Sequence, residues 1–222
     1  MVIHSQNIEI NDQFKKTLNL LENTQKNALI TGRAGTGKST LLDYFVNHTK
    51  KGVVVLAPTG VAAVNVKGQT IHSFFGFKPG ITVDKVKRVY GPNSELYKAI
   101  DIIIIDEVSM VRADLLDCVD KFLRLNGKNK SKSFGGTQMA FIGDLYQLPP
   151  VVKGKEREVF RTHYSSPYFF DAHAFKNFKV EFVELEKVYR QTDEKFINLL
   201  NAIRNKSVTD SDLIQRVPLV FD

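Results

Sequence analysis

Residues 27 to 46 read NALITGRAGTGKSTLLDYFV. The stretch opens on an apolar run, crosses a turn holding Gly32, Gly35 and Gly37, and closes on Leu41, Leu42, Phe45 and Val46 at helical spacing. Its middle, Gly32 to Ser39, satisfies G-x-x-x-x-G-K-[ST] in full. Such a loop binds phosphate because successive backbone N–H groups turn inward, which needs residues free to take positive φ. The helix that follows adds its N-terminus to the same anion. Gly35, Thr36 and Gly37 are thus expected to wrap the phosphates of a nucleoside triphosphate, with Thr40 in the first helical turn beside them. Lys38 would neutralise the β- and γ-phosphates, and Ser39 would give its hydroxyl to Mg²⁺. The competing reading is a chance glycine turn, and the strand before it and helix after it argue against that.

Working outward, four more apolar runs end in turn residues: VVVLAP (53 to 58), IDIIIID (100 to 106), QMAFIGD (138 to 144) and VEFVEL (180 to 185). Continuous β-branched runs suit strands buried on both faces, as in a parallel sheet. Helical patterns lie between them, among them VRADLLDCVDKFLRL, where Leu115, Val119, Phe122 and Leu123 share a face. Cys118 falls beside that face and reads as packing, since nothing nearby would activate a thiol. Strands alternating with helices predict an α/β domain with its ligand at the carboxyl ends of the strands. Residues 76 to 98 are rich in turn formers and read as an insertion. Beyond residue 191, FINLLNAIRN reads as helix, followed by a polar tail to Asp222.

The chain has 222 residues, enough for one good-sized core. Its single cysteine cannot form an internal disulfide, which favours an intracellular, cytoplasmic setting. No secretory leader opens it, and no apolar run reaches the length of a membrane span. Lys and Arg number 31 against 24 Asp and Glu, a formal charge of +7 that favours a polyanionic partner. The cations cluster at Lys85-Val86-Lys87-Arg88, Lys128-Asn129-Lys130-Ser131-Lys132 and Lys153-Gly154-Lys155-Glu156-Arg157, each of which could be no more than a solvated loop.

A phosphate loop alone leaves kinases, GTPases and motor ATPases open. IIIIDEVSM narrows the choice: Asp106, ending a buried run, is where a carboxylate ligand to Mg²⁺ belongs. Glu107 would face the γ-phosphate and could orient and deprotonate a water. The pair could instead cap a helix. A general base beside a metal ligand points to hydrolysis, and the Asn-Lys-x-Asp base reader of a GTPase is absent.

In order, GRAGTGKST, APTGVAAVNVKGQTIHSFF, IIIIDEVSMVRADLLD, FIGDLYQLPPV and LEKVYRQTDEKFINLLNAIR closely resemble the first motor domain of the Pif family of DNA helicases, the RecD-like, superfamily one type that moves 5′ to 3′. The match spans most of the chain. It implies a RecA-like P-loop NTPase domain over 1 to 190, a mostly parallel sheet with helices on both faces. It also implies that 76 to 98 corresponds to a small accessory insertion, and that 191 to 222 leads toward a second RecA-like motor domain this sequence does not contain. In the family, the APTG segment lies on the surface that binds single-stranded DNA, so Thr59 and Gly60 would touch the strand backbone, with His72 and Ser73 near it. Without the resemblance, His72 beside two phenylalanines would read as a packed core histidine. Phe74 and Phe75 read as core. Gln147 would be the γ-phosphate sensor, with the stiff Leu148-Pro149-Pro150 passing its position toward the DNA. Arg190 would reach the γ-phosphate, and Gln13 is the candidate for the adenine-contacting glutamine.

A motor of this type opens and closes two domains around ATP, so the chain is expected to be part of a longer protein of bacterial or phage type, or else a natural half-motor. The abrupt PLVFD ending favours the first. Two rivals stay open: a module that binds nucleotide or DNA without turnover, and a phosphate-loop kinase, which would leave APTG and GDLYQLPP unexplained.

Overall fold

The computed structural model describes residues 11–91, 94–154 and 156–187. Six strands form one sheet: β1 Asn27–Gly32, β2 Val53–Ala57, β3 Gln69–Thr70, β4 Ile102–Ile105, β5 Gln138–Gly143 and β6 Val180–Leu185. The helices are α1 Asp12–Asn23, α2 Lys38–His48, α3 Gly60–Asn65, α4 Ile71–Phe75, α5 Ser94–Ala99, α6 Ala113–Asn126 and α7 Glu156–His163. The strand order is β3-β2-β4-β5-β1-β6, and every pairing is parallel rather than most of them. All strands therefore end at one edge.

Side-chain alternation along the strands divides the interior in two. Ile103, Ile105, Met139 and Phe141 face the layer containing α6, while Ile102, Ile104, Ala140 and Ile142 face α1 and α2. The unbroken apolar sequence of β4 and β5 is thus explained: helices cover both faces, so no position points to water. Leu41, Leu42 and Phe45 of α2 enter the second core as expected. On α6 the buried stripe takes in Leu116 together with Val119, Phe122 and Leu123, while Leu115 is half-buried. Cys118, expected beside that stripe, lies fully buried within it, and burial pushes its thiol up to about 12.

The segment over 76 to 98 is built into the first core. Phe77, Val86 and Tyr97 are buried, and the Phe75, Phe77 and Tyr97 rings lie 5.0, 5.8 and 4.8 Å from that of Phe122. Phe74 packs edge-on against Phe75 and Tyr97, so both phenylalanines after His72 serve the core. Buried Asn126 fixes the backbone of the segment: its Oδ1 accepts from the Val89 N–H at 2.7 Å, and its Nδ2 donates to the Lys87 and Phe122 carbonyls. Arg88 Nε donates to the Leu125 carbonyl at 3.1 Å.

Candidate active site

β1 runs into the phosphate loop. Gly32 is paired with Leu185 of β6, and a Cβ there would sit 2.6 Å from both the Leu185 carbonyl oxygen and Thr36 Oγ1. Gly37, at φ +87°, turns the chain into α2, a left-handed conformation that favours glycine. Thr36 is buried and its hydroxyl donates to the Arg33 carbonyl at 2.9 Å, closing the loop on itself. Lys38 Nζ donates to the Gly32 and Arg33 carbonyls at 2.6 and 2.9 Å, which holds the ammonium over the loop. Ser39 and Thr40 are exposed in the first turn of α2.

Two strands away, β4 runs directly into Asp106 and Glu107. Asp106 is 8% exposed, and burial raises its pKa although the Glu107 N–H and the Lys38 charge oppose the rise. Glu107 has φ +49°, uncommon for a side chain of its kind, and the cost of such a turn is borne at functional sites when the fold enforces it. Its carboxyl is also raised, first by burial, then by the charges of Asp106 and Asp144, with Lys38 pulling the other way. Lys38 is thus close enough to act on both carboxylates, and desolvation outweighs it in each.

β5 lies between β1 and β4 in the sheet. With neighbouring strands about 4.8 Å apart, the tips of β1 and β4 are roughly 10 Å from each other, and the turn after β5 stands between them. That turn carries Gln147, which is exposed. Asp144, buried at 4% exposure and passed over in the sequence, organises the turn: its Oδ1 accepts from the Tyr146 N–H at 3.1 Å, its carbonyl from the Gln147 N–H at 3.0 Å, and its Oδ2 from Gln147 Nε2 at 3.5 Å. The signal that could have found it was an Asp in the turn that carries a glutamine, where Asp side chains bond the backbone two residues on.

On the far side of β4, β2 and β3 deliver the remaining candidates. Thr59 caps α3, its Oγ1 accepting from the Ala62 N–H at 3.2 Å, which leaves the hydroxyl proton to give. Gly60 is exposed, lacks positive φ, and a Cβ there would meet nothing within 4 Å, so the fold itself does not need a glycine. Because Ala57 pairs with Thr70, the start of α4 sits beside the start of α3. His72 is half-buried there, and its pKa is lowered by burial and by Arg112, with Asp114 acting the other way. Ser73 is exposed. On the opposite flank, Gln13 on α1 reaches the end of β6: its Oε1 accepts from the Glu186 N–H and its Nε2 donates to Glu186 Oε2, both at 3.3 Å. That sets it beside the strand that flanks the phosphate loop. Arg190 lies outside the described residues, as does the helix expected after 191.

Residues 7–213 match the family model for PIF1-like helicase. The chain belongs to the PIF1-like helicase family. The "ATP-dependent DNA helicase RRM3" of Saccharomyces cerevisiae is 35% identical over 204 residues, covering 88% of this chain and 27% of the relative. Human "ATP-dependent DNA helicase PIF1" is 38% identical over 179 residues, covering 78% of this chain and 26% of that protein. Among solved structures, Bacteroides Pif1 bound to ssDNA superposes at TM-score 0.87 with 40% identity, and the same helicase with ADP-AlF3 and ssDNA at 0.87 with 41%. Each of those superpositions covers 94% of this chain and 49% of the other. The chain therefore spans about half of these solved structures and about a quarter of the curated relatives. Family membership gives the order of motifs along the strand-end edge a common origin: a RecA-like P-loop domain.

Proposed function

We propose that this chain is the ATP-binding and hydrolysing half of a 5′-to-3′ DNA helicase, in which single-stranded DNA binding is coupled to ATP hydrolysis. One observation supports the proposal most: β5 intervenes between the phosphate-loop strand and the strand that runs into Asp106-Glu107, which sets the Gln147 turn between the two.

In this reading the loop amides of Gly35, Thr36 and Gly37 hold the phosphates, Lys38 neutralises them, and Thr40 lies in the first turn of the same helix. The donor set suits Mg²⁺, which in nucleotide sites takes one or two protein oxygens and leaves the rest to phosphate and water. Ser39 and Asp106 would hold it, and it would supply charge neutralisation at the phosphates. Glu107, with its raised proton affinity, accepts a proton from the attacking water. Gln147 senses the γ-phosphate, Gln13 contacts adenine, and Arg190 stabilises charge that develops in transfer. Thr59, Gly60, His72 and Ser73 bind the DNA strand at the other end of the same edge, roughly 14 to 19 Å from the phosphate loop by strand count. The second RecA-like domain of such a motor is the partner against which this half would close.

The test is steady-state ATP hydrolysis with Mg²⁺, with and without single-stranded DNA, beside Glu107→Gln. Turnover that DNA stimulates and the variant abolishes is the expected result. Nucleotide binding with turnover no higher than in Glu107→Gln would mean that this chain alone is half an active site whose remaining catalytic group lies in the second domain, and failure to bind nucleotide would overturn the reading.

A further inference from the structure

We propose that the insertion between β3 and β4 carries a second, basic path for single-stranded nucleic acid, running from the end of α4 across residues 78–90 to the C-terminus of α6. Two of the cation clusters noted in the sequence, some forty residues apart, meet there. A cleft of 590 Å³ begins at Phe75 and Gly76, the end of the helix that bears His72, and is lined by Lys78, Lys85, Lys87 and Arg88. It adjoins a second cleft of 440 Å³, which shares Arg88 and Val89 with it and continues to Lys98, Lys128 and Lys130. No carboxylate stands among the described residues lining either cleft, although Asp and Glu make up 24 of the 222 residues. By contrast, Glu158 lines the large cleft beside α7, and Asp117 and Asp120 line the one beside His173. Along the basic path the carboxylates Asp84, Glu95 and Asp101 stand only outside the linings, beside the lysines they neighbour.

Two of these cations are already paired, Lys98 with Glu95 at 2.6 Å and Lys128 with Asp101 at 2.7 Å, in exposed contacts that a phosphate could displace at little cost. Lys85, Lys87 and Lys130 are exposed, and their side chains make no hydrogen bond or close ion pair among the described residues, although the Lys85 charge acts on exposed Asp84 beside it. The path is also preorganised. Asn126 and Arg88 pin residues 87–89 to α6, so the charges ride on a fixed backbone and less ordering is needed on binding. At its far end Tyr90 is 82% exposed, a free ring face on which a base can stack. A run of cations with an aromatic platform fits an unpaired strand better than a duplex, whose bases are already stacked.

This inference rests on the reading of the Thr59 to Ser73 edge as the DNA site and extends that site past α4. The experiment measures binding of oligothymidylates of about 6 and about 20 nucleotides to the whole chain across a salt series. The triple variant Lys85→Gln, Lys87→Gln, Lys130→Gln is expected to weaken the longer strand at least about tenfold at low salt. It should also lower its salt slope by about 2, at roughly 0.7 per lost contact, and leave the shorter strand unchanged. Tyr90→Ala should weaken the longer strand without changing the slope. Equal binding and slope for the triple variant and the parent would overturn the path while leaving the edge intact. So would weakening seen only with duplex DNA. If the triple variant behaves as expected while Thr59→Ala and Gly60→Ala affect neither strand, the path stands and the edge reading falls.

Discussion

At the scale of single residues, the two halves of the edge make opposite demands on glycine. A methyl at Gly32 collides with the Leu185 carbonyl oxygen, so Gly32→Ala should cost about 1–3 kcal/mol of stability as well as nucleotide affinity, read by thermal melting. Gly60 has open space around it and occupies the first position of a helix. Gly60→Ala should therefore leave stability unchanged or raise it by about 0.4–1 kcal/mol. If a phosphate backbone passes there, the same change weakens single-stranded DNA binding, because only the absence of a side chain permits close approach. Unchanged affinity in that variant would remove Gly60 from the interface. Glu107→Gln should keep nucleotide binding and lower turnover by about 10²- to 10⁴-fold. His72 supplies a pH signature. Its folded pKa is depressed, so the unfolded chain binds the proton more readily, and stability falls as pH drops through the ordinary histidine range near 6.5. Melting curves from pH 8 to about 5.5 should show that loss, and His72→Gln should reduce it.

At the scale of elements, the anchoring of the insertion is the most exposed dependency. Phe122 supports three aromatic rings from residues 75 to 97, so Phe122→Ala should cost about 3–5 kcal/mol and release the segment that bears Lys78 to Tyr90, measurable as faster amide exchange there. This dependency was not legible in the sequence, where the segment reads only as turn formers. Its apolar members, Phe77, Val86 and Tyr97, are too widely spaced to show a period. β4 and β5 were legible because burial on both faces leaves an unbroken apolar run, whereas β6, expected to be buried in the same way, is an edge strand with Phe182 61% exposed beside Glu181 and Glu184. β3 was not, since two residues, Gln69 and Thr70, carry no pattern and are held only by pairing with Leu56 and Ala57. Site chemistry was read from Gly32–Ser39 and from Asp106-Glu107, where local spacing is the mechanism. The insertion of β5 between β1 and β4 is a matter of topology, and with it came the position of Gln147 and the coupling of Asp144 to Glu107.

At the scale of the whole molecule, one sheet edge carries the candidate nucleotide site at one end and the candidate DNA contacts at the other, with β4 and β5 between. Gln147→Ala should spare ATP binding and blunt stimulation of hydrolysis by DNA, and an equal loss of both would mean that the turn serves only to fold the site. Binding to single-stranded DNA should fall linearly with salt on logarithmic axes, as expected when lysines and arginines displace counterions. The parallel order of the sheet also sets a timetable. Both neighbours of the phosphate-loop strand are made long after it: Ala28 pairs with Ala140, and Asn27 with Val180. During synthesis at about 5–20 residues per second, Gly32 to Ser39 wait for roughly 5 to 20 seconds before β5 can join them. A phosphate loop braced on both sides thus cannot exist until Asp106, Glu107 and the Gln147 turn have already been translated.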